Sequence, residues 1–171
     1  MMLDTKSLSI IIIFAALYAV GVITFAGISF SYIQVRVADA LLPLSMLFGI
    51  PSIIGLGLGT LVANVYGGLG FLDIIGGTVA NLIGCTLAWY IAKRGNLTSR
   101  ILGAFVETVT ISVIVGSYLS ILFELPLEIS IFWIFLGSLI AITIIGLPFE
   151  EALQKTGLAK KYHLNSPHDT R

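Results

Sequence analysis

The chain has 171 residues, of which 57% are hydrophobic and only 11% charged, against roughly a quarter charged in an ordinary soluble domain. Nine basic residues balance nine acidic ones, so the basic field that a nucleic-acid partner needs is missing. No G-x-x-x-x-G-K-[ST] loop occurs, so energy from a nucleotide has to come from another chain.

The composition is that of an all-α membrane protein forming a single integral membrane domain, because a span needs about 20 apolar residues. Residues 8–28 meet that length. Small residues Ala26, Gly27 and Ser29 follow, as after a signal peptide, but the run is longer than a usual signal-peptide core. Residues 38–66 carry Gly49-Ile50-Pro51 in their middle, a turn signal that divides them into a short arm at 38–48 and a second arm at 51–66. The short arm rises only about 16 Å as an α-helix, and Pro43 removes one of its backbone donors. Residues 71–92, 101–123 and 129–149 complete six transmembrane helices, followed by a short tail at 150–171.

Charge supports that count, since basic residues collect on the cytoplasmic side. With both termini cytoplasmic in a cell membrane, Lys6, Lys93, Arg94, Arg100, Lys155, Lys160, Lys161 and Arg171 all fall inside and only Arg36 outside. Five spans would destroy this asymmetry. The triplet Asn96-Leu97-Thr98 matches a glycosylation acceptor, but it lies in a connector on the cytoplasmic side.

Nine of the charged residues lie outside 8–149, and Lys93, Arg94 and Arg100 share one connector. Arg36, Asp39, Asp73, Glu107, Glu124 and Glu128 remain. Helical rise converts position into depth. Asp73 and Asn64 each lie about 3 Å from the outer ends of their helices, and Asp39 opens the short second helix with Arg36 and Gln34 just before it. Glu107 lies about 9 Å from the inner end of its span, and Asn81 lies near the midplane. An undersized helix leaves irregular backbone at membrane depth, tolerated only where it is buried in protein or lines a cavity. The alternating segment 31–36 is therefore expected to fold inward as a loop between helices one and two. Tyr32 and Tyr66 are candidate stacking surfaces at the same level.

Structural roles compete with each of these. Arg36 and Asp39 can form an i, i+3 ion pair, Asp73 suits a helix N-terminus, and Asn64 can bond a neighbouring helix. Glu124 and Glu128 flank Pro126 in a solvated connector, and His163 and His168 sit in the polar tail. The lone Cys85 permits no intrachain disulfide, and no Cys/His cluster has metal spacing, so neither metal nor cofactor is expected. Ala15-x-x-x-Ala19 and Gly55-x-x-x-Gly59 are small-residue faces that allow helices to approach closely.

The runs Gln34-Val35-Arg36-Val37-Ala38-Asp39-Ala40-Leu41, Leu47-Phe48-Gly49-Ile50-Pro51, Ala63-Asn64 and Leu72-Asp73-Ile74-Ile75-Gly76 resemble the QueT family. These are substrate-binding S-components of energy-coupling factor (ECF) transporters associated with queuosine precursors. The resemblance implies an ECF transmembrane coupling subunit and two ATPase subunits as partners, and no catalytic residue in this chain. It makes Ala15 and Ala19 the face that meets the coupling subunit. Asp39 stands where many members carry glutamate, and Gly137-Ser138 where a Gly-Glu pair is common.

A deazaguanine base presents a ring N–H beside an exocyclic amino group, an edge one carboxylate accepts with two hydrogen bonds. Asp39 or Asp73 suits that edge, and Gln34, Arg36 or Asn64 suits the base carbonyl. Two carboxylates against one arginine disfavour an anionic ligand. Other readings are an S-component for a different small vitamin-like substrate, or a stand-alone carrier relaying protons through Glu107 and Asp73. An intramembrane hydrolase lacks a histidine at membrane depth.

Overall fold

The computed structural model of the chain describes residues 4–31 and 34–156. Among them every regular element is helical. Helix α1 (Thr5–Thr24) starts where the Asp4 carboxylate accepts the Ser7 N–H at 2.9 Å, satisfying one of the first-turn donors. A short turn of helix, α2 (Ala26–Ser29), follows after a break at Phe25.

The short second segment differs from the expected α-helix. Val37–Leu44 is a 3-10 helix, η1, continued by one α-helical turn, α3 (Ser45–Phe48). Pro43 lies inside η1, where its ring excludes the α-helical bond and crowds the carbonyl four residues back. The tighter 3-10 winding rises about 2 Å per residue, so the twelve residues reach about 22 Å rather than about 18 Å. Gly49 then turns the chain with φ of 65°, a left-handed conformation that a side chain would strain.

Helices α4 (Ile50–Gly67), α5 (Phe71–Ala92) and α6 (Leu97–Leu122) follow through short connectors and pack as antiparallel neighbours. Asn96 accepts the Ser99 N–H at 2.7 Å and caps α6, a structural use for the residue of the acceptor triplet. The helix therefore starts four residues before the expected 101. That places Glu107 about 15 Å along a helix about 39 Å long, near its middle rather than its end.

The last helix runs as α7 (Leu127–Ser138), a widened π segment (Leu139–Gly146) and α8 (Leu147–Lys155). Part of the expected tail is thus folded onto the bundle. Arg100, inside α6 rather than in a connector, pairs with Glu150 at 3.5 Å and also with Glu151. The fully buried Glu150 explains why the helix cannot end at 149.

Among the described residues five helices, rather than six, are long and apolar enough to cross a membrane, and Val37–Phe48 is a shorter apolar one. Burial is inverted relative to a soluble protein. Ile12, Ile13, Leu17 and Val20 on α1 are exposed, as are Phe71, Ile75 and Val79 on α5, while Asp39, Asn64, Asp73, Asn81 and Glu107 are buried. An apolar exterior around a polar interior suits hydrocarbon as solvent. The chain is a multi-pass membrane protein.

Helices α1 and α4 meet through the small-residue faces. A Cβ added at Gly59 would stand 2.7 Å from the Ala15 carbonyl oxygen, and one at Gly55 would stand 2.6 Å from that of Ile11. Such contact requires glycine. The half-buried Ala15 and the buried Ala19 therefore belong to a face already engaged inside the bundle.

Candidate functional site

Five of the seven expected site residues come together at one end of the bundle. Asp73, in the first turn of α5, is fully buried, and its Oδ1 accepts the Tyr118 hydroxyl at 2.8 Å and Arg36 Nη2 at 3.3 Å. Asn64, near the end of α4, donates from Nδ2 to the Asp73 carbonyl at 2.7 Å. Arg36 also lies 3.4 Å from the Ser29 carbonyl through Nε and stacks over Phe30 at 5.5 Å, within cation–π range. Its ion-pair partner is Asp73 on another helix, not Asp39 three residues on.

Asp39 belongs to a second layer. It accepts the Tyr18 hydroxyl at 2.6 Å, and Asn81 Nδ2 reaches that hydroxyl at 3.0 Å and Thr60 Oγ1 at 2.7 Å. Four helical elements, α1, η1, α4 and α5, are tied together by this network. Gln34 is buried beside it because its carbonyl lies against Gly137, where any Cβ would overlap that oxygen. Gly137 thus lets the inward chain lie directly on α7, and Ser138 next to it faces the same space as Gln34, Arg36, Asp39 and Asn81. The last helix therefore contributes to the lining of this space.

That space is small, a cavity of about 10 Å³ lined also by Ile111, Val115 and Ile134. It is about the minimum that holds one water. Around the cluster, Asp73 Oδ2, Asn64 Oδ1, Gln34 Nε2 and Ser29 Oγ are buried with no hydrogen-bond partner among the described residues. Native interiors rarely leave such atoms unpaired. The arrangement offers both acceptors and a donor to a guest.

A family model described as QueT transporter matches residues 8–155. The chain belongs to the QueT transporter family. Its role is therefore that of a membrane transporter, in keeping with the apolar helices. No curated protein and no solved structure matches the chain.

The remaining expected residues are placed differently. Tyr66 is 63% exposed on the outer face of α4 and is not brought to the cluster. Tyr32 lies outside the described residues, as do His163 and His168. Glu124 is exposed in the connector before α7, whereas Glu128, expected in that connector, is exposed in the first turn of α7. No group of three metal-ligating side chains occurs among the described residues.

Tyr18 and Tyr118, absent from the sequence reading, supply the hydroxyls that hold Asp39 and Asp73. A signal existed. Each is a phenol in the interior of a strongly apolar span, where its O–H has to find a partner.

Proposed function

We propose that this QueT-family chain is the substrate-binding subunit of an ECF-type importer, capturing a deazaguanine-type base such as a queuosine precursor. The observation that carries the reading is the set of buried, unpaired polar atoms around Asp73, Asn64, Gln34 and Ser29. Each costs roughly 1–3 kcal/mol while it lacks a partner, a cost that a fitting guest removes. Asp73 Oδ2 and Asn64 Oδ1 call for donors, which the adjacent ring N–H and amino group of the base supply. Gln34 Nε2 calls for an acceptor, which the base carbonyl supplies. The buried guanidinium of Arg36 is already matched by Asp73, leaving no free positive charge in the cluster to favour an anion.

In this reading both termini are cytoplasmic and the site opens outward, between the ends of α4 and α6 and the start of α5. The cavity, about 10 Å³, is far smaller than a bicyclic base, so the segment Gln34 to Val37 moves aside to admit the ligand and then closes over it. The chain has no nucleotide-binding loop, and an ECF transmembrane subunit with two ATPases drives release inward. Catalysis by this chain plays no part.

The test is calorimetric binding of deazaguanine bases to the full chain, purified alone in mild detergent, with mass spectrometry of small molecules it retains. Tight binding that Asp73→Asn weakens at least tenfold is the expected result. Failure to bind any deazapurine, together with an unaffected Asp73→Asn variant, overturns the assignment.

A further inference from the structure

Arg36 carries a flat, charged group into the buried cluster, yet it is held there by long contacts. Its Nη2 lies 3.3 Å from Asp73 Oδ1 and its Nε lies 3.4 Å from the Ser29 carbonyl, against about 2.7–2.9 Å for a well-made charge-assisted bond. A guanidinium grips a carboxylate best with two parallel bonds, but among the described residues Asp73 Oδ2 receives none. A buried ion pair offsets its desolvation only when its geometry is excellent. This pair does not meet that condition.

The slot around the guanidinium has a face and an edge. The face is Phe30, whose ring centroid lies 5.5 Å from Arg36 Cζ. Phe30 is itself seated on Gly67 at the end of α4, where any Cβ would overlap the ring. The edge is the Asp73 carboxylate, and Nη1 lies over Gly77 on α5, 3.6 Å from where a Cβ would stand. An aromatic face beside a carboxylate suits a planar group that carries adjacent N–H donors on one carbon. A guanidinium is such a group. So is the edge of a deazaguanine base, with its ring N–H next to the exocyclic amino group.

We infer that Arg36 is an internal stand-in for the ligand: its guanidinium holds the place of the base's N–H edge on Asp73, the base displaces it, and Phe30 is the ring on which the base then stacks. This rests on the proposed function and adds to it one residue that competes with the ligand and one that stacks it. The cavity of about 10 Å³ has room for about one water, so an occupant of the cluster has to leave before a base enters. Arg36 lines that cavity and belongs to the segment that moves aside. Its departure gives up two long bonds, while the base brings donors to both Asp73 oxygens. The long side chain then carries its charge to water at the outer end. Without ligand, the same contact keeps Asp73 from being left bare and holds the segment shut.

The test is calorimetric binding of an aminomethyl and a cyano deazaguanine to the full chain in mild detergent, for wild type, Arg36→Gln and Phe30→Leu. Removing a competitor raises the binding-competent fraction, so Arg36→Gln should bind the better of the two bases at least about threefold more tightly than wild type. Its ligand-free Tm should fall, and saturating base should raise that Tm further than it raises the Tm of wild type. An arginine that grips the base, or that only braces the fold, gives weaker or equal binding in the same variant. Phe30→Leu keeps an apolar side chain on Gly67 and should weaken binding about 5- to 100-fold, the range for loss of one stacked base. If Arg36→Gln does not yield a folded protein, Arg36→Lys keeps a cation for folding without the planar fork, and should likewise bind more tightly. Unchanged or weaker binding by the arginine variant, or unchanged binding by Phe30→Leu, overturns this inference alone. Failure of wild type to bind both bases overturns the proposed function and this inference with it.

Discussion

Replacing Asp73 with asparagine keeps the shape of the side chain and removes its charge. Oδ1 accepts the Tyr118 hydroxyl at 2.8 Å and Arg36 Nη2 at 3.3 Å, and an amide oxygen can still accept both. What is lost is the anionic partner of a guanidinium that is 6% exposed. Breaking a buried pair from one side costs about 3–5 kcal/mol, and the retained hydrogen bonds put this substitution at the lower end, about 3 kcal/mol. For a chain of this length each kcal/mol moves Tm by about 2–4 °C, so Asp73→Asn should lower it by roughly 6–12 °C. Tyr118→Phe removes one bond to a charged group, about 1.5–3 kcal/mol. Because both act on one oxygen, the double variant should lose less than the sum of the singles by at least about 0.5 kcal/mol. Thermal and denaturant unfolding in mild detergent, followed through Trp89 and Trp133, measures all four proteins. An Asp73→Asn chain melting within about 2 °C of wild type, or strictly additive variants, would refute the reasoning.

Gly59→Val places a Cβ 2.7 Å from the Ala15 carbonyl oxygen and should cost at least about 1–3 kcal/mol by overpacking α1 against α4, read as a lower Tm. Gly137→Ala forces the Gln34 carbonyl away from α7 and should weaken base binding at least about tenfold, while circular dichroism stays that of wild type; unchanged affinity would separate the strap from the site. Asn96→Ala removes the cap on Ser99, which costs about 1 kcal/mol and should speed amide exchange in the first turn of α6. The Asp4 carboxyl is held below its ordinary 3.8 by hydrogen bonding with Ser7, from its side chain and then its backbone. Its contribution is full above pH 3.8 and is lost as pH falls through the lower folded value. Protection of the Ser7 amide, corrected for intrinsic exchange, should therefore weaken only below pH 3.8, and weakening that begins near neutrality would contradict the cap.

Level along the helices was legible in the sequence for Asn64 and Asp73, and direction around the helix axis was legible only in part. Helical rise put Asn64, Asp73 and Asp39 at neighbouring levels, and the structure brings Asn64 to Asp73 and Arg36 to the same carboxylate. Rise says nothing about azimuth. Residues two apart on an α-helix point about 200° apart, so an inward Asn64 already implies an outward Tyr66, as found. The same rotation groups Ala15 and Ala19 with the buried Tyr18 and leaves Leu17 and Val20 exposed. The error in the depth of Glu107 came from one cap. Taking Asn96 to Arg100 as a connector shortened α6 by a turn and left Arg100 outside the helix. Its guanidinium pairs with Glu150 and Glu151.

The 3-10 winding of η1 could not be read from hydropathy, yet it organises the site. In a 3-10 helix residues three apart eclipse one another, whereas in an α-helix each such step turns about 60° away. Asp39 N–H bonds the Arg36 carbonyl at 2.9 Å, so Arg36 joins the same ladder. Arg36, Asp39, Leu42 and Ser45 then share one line down the segment; α-helical winding would carry Ser45 to the side opposite Arg36. Together they meet three levels of the bundle. Arg36 reaches Asp73, Asp39 receives Tyr18, the Leu42 carbonyl lies 4.0 Å from Cys85 Sγ, and Ser45 Oγ lies 3.4 Å from the Cys85 carbonyl. A segment too short to cross hydrocarbon as an α-helix is thereby stretched, and this line is kept facing α1 and α5 from Asp73 to the level of Cys85. Pro43 favours that winding because its ring crowds the carbonyl that lies four residues back in an α-helix. The residue that looked in the sequence like a defect in a weak span is thus one cause of the alignment on which the site depends.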